Sequence, residues 1–225
     1  MKKPFIKKIV SNFREVKLEE TGSIHNPTLF VLLYKGRYQL CTQTAIYSYE
    51  DKYDNFRTAF DQIRVTEKKL DNVLLLGLGL GSIPYMLEKI YEVDTEYVAV
   101  EIDEVICQLA EKYVLSDLKS NIQIYPIDAL NYFQWYDHKY DMIAMDIFQS
   151  AEVPSEFESL DYFETIKSRI NEGGTILYNR LSNTSEDVQK NRIFGENWLR
   201  VFPQGGPIDC KNNLIFINDL ELIPK

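Results

Sequence analysis

Three acids stand at the ends of three apolar runs: Glu101 after Val98-Ala99-Val100, Asp128 after the run Ile122 to Ile127, and Asp146 after Met142-Ile143-Ala144-Met145. A carboxylate so placed can accept ribose hydroxyls, meet the amino group of a base, or take a proton. Ahead of them lies Val73-Leu74-Leu75-Leu76-Gly77-Leu78-Gly79-Leu80-Gly81-Ser82. The aliphatic part reads as a strand covered on both faces, and the glycine turn as backbone that passes close to a ligand. Ser82 is expected to cap the next helix, with Pro84 in its first turn and Ile83, Met86, Leu87, Ile90 and Tyr91 on one buried face. Strand, glycine turn, helix and a second strand closed by Glu101 describe a nucleoside-binding βαβ unit, with Gly77, Gly79, Gly81 and Glu101 as its contacts. A purely structural α/β turn is the alternative.

The elements that would position these residues follow from periodicity. Between Glu15 and Tyr49, short β-rich runs separated by Asn26-Pro27 and Lys35-Gly36 predict antiparallel hairpins, a small β domain over residues 1–50. From residue 51 to 225 strand and helix alternate. A helix is expected from Tyr53 to Lys68 with Phe56, Ala59, Phe60 and Ile63 inward, and another carries Val105, Ile106, Leu109, Ala110 and Tyr113. A third, from about Ser155 to Asn171, is expected to stop at Glu172-Gly173-Gly174, before a fifth strand Thr175 to Asn179. Phe194, Trp198, Val201 and Phe202 mark the last helix. Asn213 to Ile217 is a final strand paired with Gly206 to Cys210. The fold class is therefore α/β, a Rossmann-like, doubly wound, mainly parallel sheet whose ligand sits at the carboxyl ends of its strands.

Bulk properties narrow the partners. A chain of 225 residues can bury a large core, and its net charge of −9 argues against nucleic acid, whose phosphates demand a basic face. Small cationic molecules suit it better. Cys41, Cys107 and Cys210 are far apart, with no metal-ligand spacing and no even set for disulfides, which fits a reducing cytoplasm. The basic start, Met1 to Lys8, lacks the apolar run of a leader and reads as a solvated end, and no stretch is long enough to span a bilayer. His25 and His138 are the only histidines and read as turn and loop residues. No Ser-His-Asp order, HExxH helix or paired CxxC is present, so neither a hydrolase nor a metal enzyme is expected. Tyr132-Phe133-Gln134-Trp135-Tyr136 is either packing or a wall for an aromatic base.

The glycine turn and the three acids together resemble the class I fold that binds S-adenosylmethionine. That resemblance implies Glu101 for the ribose, Asp128 and the Ala129 backbone for the adenine, and Asp146 for the reactive end; NAD would use a similar first unit and remains a competitor. Gly77-Leu78-Gly79-Leu80-Gly81, Val100-Glu101-Ile102-Asp103, Ile127-Asp128-Ala129 and Tyr140 to Asp146 resemble the spermidine synthase branch of that fold. Its architecture also begins with a small β domain, which by resemblance is the surface of an expected homodimer.

Three departures matter. That branch has an acid inside the glycine turn where this chain has Leu80, a second acid three residues beyond the strand-four acid where this chain has Gln149, and a Tyr-His-Glu run that here reads Tyr53-Asp54-Asn55. An amide cannot serve as a general base. The expectation thus moves to S-adenosylmethionine-dependent methyl transfer onto a small or cationic acceptor, with Asp146 orienting or deprotonating it and Gln149 hydrogen-bonding it. Tyr178 and Asn179 lie where a substrate would enter. A polyamine aminopropyltransferase with an altered site and a non-catalytic nucleoside-binding protein are the alternatives.

Overall fold

The computed structural model describes residues 5–43, 45–149 and 152–224; Lys2, Lys3 and Ser150 lie outside the described residues. A short helix, α1 (Phe5–Ser11), precedes a four-stranded antiparallel sheet of β1 (Val16–Thr21), β2 (Leu29–Tyr34), β3 (Arg37–Cys41) and β4 (Ile46–Ser48). Helix α2 (Asp54–Gln62) then leads into the main sheet: β5 (Asn72–Leu76), α3 (Ser82–Lys89), β6 (Glu96–Val100), α4 (Glu104–Tyr113), β7 (Ile122–Tyr125), α5 (Ala129–Trp135), β8 (Tyr140–Met145), α6 (Leu160–Ser168), β9 (Ile170–Leu181), α7 (Ser185–Val201), β10 (Gly206–Asp209) and β11 (Asn213–Ile217). The spatial order is β10-β11-β9-β8-β5-β6-β7. Strands β9, β8, β5, β6 and β7 run parallel, in line with the mainly parallel sheet the sequence predicts, and the expected pair β10 and β11 adds an edge that proves antiparallel.

The alternation of side chains along β5 divides the core. Val73 and Leu75 point to one face, against Phe56, Phe60, Met86 and Leu87; Leu74 and Leu76 point to the other, against Tyr132, Phe163 and Trp198. Buried on both faces, this strand has to be apolar throughout. A third cluster joins the small sheet to the large one: Leu29, Val31, Leu33 and Leu40 meet Leu80 of the glycine turn and Ile106, Leu109 and Tyr113 of α4.

Several expectations change in detail. Ser82 is not a cap: Gly81 holds that position, and the Ser82 hydroxyl instead meets the Ser48 hydroxyl at 2.7 Å and accepts the Tyr49 N–H at 3.0 Å. The helix expected from Tyr53 to Lys68 ends at Gln62, and the one expected from Ser155 is a short 3-10 turn followed by α6. Glu172-Gly173-Gly174 does not end a helix but lies within β9, where the register against β8 shifts and Gly173 takes a positive φ of 74°. Helix α7 starts well before Phe194, at a capping box between Thr184 and Asp187. Tyr132 and Phe133 are core residues and Trp135 is 65% exposed, so this aromatic run is packing. Among the described residues, no helix is long and apolar enough to cross a membrane, and the three cysteines are buried and free.

Gly77 is where the backbone is least forgiving. Its φ is +87°, and a Cβ there would lie 2.4 Å from the carbonyl oxygen of Asp146. Gly173 shares the positive φ but has open space around it. Gly77→Ala is expected to destabilise the fold by about 3 kcal/mol or more, and Gly173→Ala by only about 1 kcal/mol. Urea denaturation of the two variants checks the contrast.

Candidate functional site

Register places the site. Leu76 pairs with Val100 on one side and Met145 on the other, and Met145 pairs with Tyr178, so the next residues, Gly77, Glu101, Asp146 and Asn179, form one row at the carboxyl edge. That row floors a cavity of about 570 Å³, which Asn26, Ile46 and Tyr47 of the small sheet and its loops help to enclose.

Asp146 is the most constrained group of the row. Tyr53, which precedes α2, donates its hydroxyl to Oδ2 at 2.8 Å, and the Asn179 amide donates to Oδ1 at 2.7 Å. Burial pushes its carboxyl up to about 7 despite those two donors, and the nearby Glu101 charge adds to the rise. Burial also keeps the Tyr53 hydroxyl protonated, well above its ordinary range. Glu101 turns back into the glycine turn, where its Oε2 accepts the Leu78 N–H at 3.0 Å and its Oε1 accepts the Asp103 N–H at 3.1 Å. Burial raises its carboxyl too, and those backbone donors oppose the rise.

The remaining expected contacts are divided between ligand cavity and framework. Gly77, Gly79, Glu101, Asp128, Ala129, Asp146 and Gln149 all line the cavity. Asp128 also caps α5, accepting the Leu130 N–H at 2.6 Å. Gly81 faces the Leu115 and Pro84 side chains instead. Gln149 is exposed at the mouth, and its backbone pairs in both directions with Glu152. Leu80 is 1% exposed inside the third core cluster, away from the cavity. Tyr178 is buried core, with its hydroxyl on the Phe157 carbonyl. His25 lines the cavity and His138 does not.

Sequence reading missed Tyr53 and Asn213 as site residues. Tyr53 stands in the sequence only as the kept first member of a run whose next two residues, Asp54 and Asn55, depart from it, and nothing local signals a partner 93 positions away. Asn213, on β11, donates its side-chain amide to Oδ1 of Asn179 at 2.9 Å. A second knot holds the small sheet over the cavity: the buried Asp103 accepts from Ser23 and Asn26, and Asn26 accepts the Tyr47 hydroxyl. The cavity lining is strongly one-sided in charge. Glu101, Asp128, Asp146 and Glu156 line it, and no lysine or arginine does among the described residues. No group of His, Cys, Asp and Glu among them is arranged to hold a metal ion.

Comparison with known proteins gives the family. The sequence matches the Spermine/spermidine synthase domain over residues 62–192. The chain belongs to the spermine/spermidine synthase family. Among its relatives, the polyamine aminopropyltransferase of Vibrio vulnificus (strain CMCP6) is 28% identical over 169 residues, 69% of this chain and 56% of that protein. The probable polyamine aminopropyl transferase of Bifidobacterium longum (strain NCC 2705) is 25% identical over 138 residues, 61% of this chain and 30% of that protein. The chain thus spans about half or less of the curated relatives it matches.

Solved structures share the Rossmann-like fold of class I methyltransferases. A probable spermidine synthase from Corynebacterium glutamicum ATCC 13032 superposes with a TM-score of 0.70 at 17% identity over 90% of this chain and 78% of that one. Human methyltransferase-like protein 13, solved with SAH, gives 0.59 at 20% over 73% and 78%. The family match and both named relatives overturn the expectation of methyl transfer, which rests on three departures: Leu80, Gln149 and Tyr53-Asp54-Asn55.

Two predictions follow the geometry. Asp146 has a folded-state pKa above its ordinary 3.8, so its contribution to stability is full below that value and is lost as pH rises to about 7. Asp146→Asn removes the charge and still satisfies both neighbours, its oxygen accepting from the Asn179 amide and its NH2 donating to the Tyr53 hydroxyl, which can accept as well as donate. It is expected to stabilise the unliganded protein by on the order of 2–4 kcal/mol at pH 8 and little at pH 4, read by thermal or urea unfolding. Leu80→Asp, which reinstates the family's acid, buries a carboxylate in the third core cluster and should cost about 3 kcal/mol or more, read as a lower denaturation midpoint.

Proposed function

We propose that this chain transfers an aminopropyl group from decarboxylated S-adenosylmethionine to an amine acceptor. The observation that carries the reading is the cavity lining, four carboxylates and no lysine or arginine among the described residues. A doubly cationic donor and an amine suit that lining. The carboxylate of intact S-adenosylmethionine would be desolvated there with no cation to receive it.

When bound, the donor supplies a carbon made electrophilic by its sulfonium, which an unprotonated amine attacks while the carbon–sulfur pair departs on a neutral thioether. The chain's own residues bind and prepare the reactants. Glu101 takes the ribose hydroxyls, Asp128 and the Ala129 backbone the adenine edge, and Gly77 and Gly79 leave room at the turn. Asp146 takes the proton from the acceptor's ammonium. Tyr53 and Asn179 hold each of its oxygens by donation, which leaves the remaining lone pairs to the acceptor. A carboxyl shifted to about 7 is poised for that proton near neutral pH. Gln149 hydrogen-bonds the acceptor through its carbonyl oxygen but cannot take a proton, so in this reading Asp146 performs the deprotonation.

A second reading, nucleoside binding without transfer, is favoured by one observation: the amide of Gln149 where the family places an acid. Calorimetric titration with decarboxylated S-adenosylmethionine, S-adenosylmethionine and NAD, with Glu101→Ala as control, tests the proposal. The decarboxylated donor is expected to bind about tenfold tighter than S-adenosylmethionine, a difference of ~1.4 kcal/mol, and to be lost in the variant. Preference for intact S-adenosylmethionine or NAD, or no binding at all, contradicts it.

A further inference from the structure

An amide side chain has two ends, and which one faces Asp146 decides what that carboxyl can do. With the nitrogen toward Asp146, Asn179 donates and favours the ionised carboxylate; with the oxygen toward it, two acceptors confront each other and Asp146 must keep its proton to donate. Asn179 is 1% exposed on β9, and the nitrogen faces Asp146 at 2.7 Å. Its oxygen accepts the Asn213 amide N–H at 2.9 Å. Antiparallel register explains the contact: Ile215 of β11 lies opposite Asn179, and Asn213, two residues earlier, is its diagonal neighbour on the same face.

We infer that Asn213 is a positioning residue, which holds the Asn179 amide with its nitrogen toward Asp146 and so keeps Asp146 able to receive the acceptor's proton. None of the other groups that face Asp146 donates to the Asn179 amide oxygen, the end that Asn213 holds. Tyr53 donates to the opposite oxygen, and Glu101, one strand away, contributes only charge. Asp128 and Glu156 stand elsewhere on the cavity wall, and His25 lines it from the loop before β2. The pair Asn213–Asn179 therefore acts as a relay in which a donor on the neighbouring strand β11 fixes an acceptor-facing nitrogen at the floor of the site.

The inference rests on the reading of Asp146 as proton acceptor, but its test needs neither donor nor amine. The titration of Asp146 is followed by its carboxyl carbon-13 shift in the unliganded protein, for wild type, Asn213→Ala, Asn213→Asp, Asn179→Leu and the double variant Asn179→Leu with Asn213→Ala. Asn213→Ala is expected to raise the Asp146 pKa, and Asn213→Asp, which accepts from Asn179 and turns its amide round, to raise it by about one unit or more. In the Asn179→Leu background, Asn213→Ala should add nothing further. An Asp146 titration unmoved by either single Asn213 variant, or moved equally with and without the Asn179 amide, overturns the relay. Failure of donor binding in calorimetry would instead overturn the proposed reaction and leave this orientation untouched.

Discussion

Parallel pairing of β5 with both β6 and β8 is the constraint from which the site follows. The ladder continues one residue past the strands: the Gly77 N–H donates to the Val100 carbonyl at 2.9 Å and the Asp146 N–H to the Leu76 carbonyl at 2.7 Å. With those bonds made, Glu101 and Asp146 flank Gly77, and the backbone of residue 146 passes too close for any side chain at 77. Two carboxyls so near each other, partly buried at the floor of the cavity, both titrate above their ordinary values. The structure offsets this in two ways, with backbone N–H groups for Glu101 and neutral side-chain donors for Asp146. Strain of this kind, stored where a ligand's charge would relieve it, is typical of functional sites.

The small antiparallel sheet completes what the large sheet starts. Its β4 edge lies against the glycine turn, where a Cβ on Gly79 would meet Ser48 Cβ at 3.1 Å and the Tyr47 carbonyl at 3.2 Å. Ser82 ties the same strand to the start of α3, and Asp103 ties the loop before β2 to the start of α4. Leu80 belongs to this attachment. Where the family resemblance leads one to expect an acid for the ligand, this chain has an apolar residue that joins the glycine turn to the small sheet's core. The departure is a change in packing as well as in chemistry. By contrast Tyr53, the one member of the Tyr-His-Glu run that is kept, is bonded to Asp146.

Much of this was legible in the amino-acid pattern, because burial on both faces forces an aliphatic run and positive φ favours glycine. The strands β5, β6, β7 and β8, the acids after them and the hairpins before residue 50 could all be read that way. What could not be read depends on distance or on local irregularity. Tyr53 and Asn213 reach the site only through tertiary packing, since both are ordinary residues at the ends of elements. The bulge at Gly173 looks like a helix stop because both place a glycine at positive φ. The reaction class is not legible for a different reason: the three departures at Leu80, Gln149 and Tyr53-Asp54-Asn55 point away from aminopropyl transfer, whereas the motifs shared through most of the domain carry the family match over residues 62–192.

In the proposed aminopropyl transfer, Asp146 is the group that receives the amine's proton. The most direct test of that role is to incubate the purified protein with decarboxylated S-adenosylmethionine and a mixture of mono-, di- and triamines, and to analyse the products by mass spectrometry beside Asp146→Asn. The expected product is an amine enlarged by one aminopropyl unit, formed by the wild type and absent with the variant. No enlarged amine from the wild type, or equal product from Asp146→Asn, would contradict this reading.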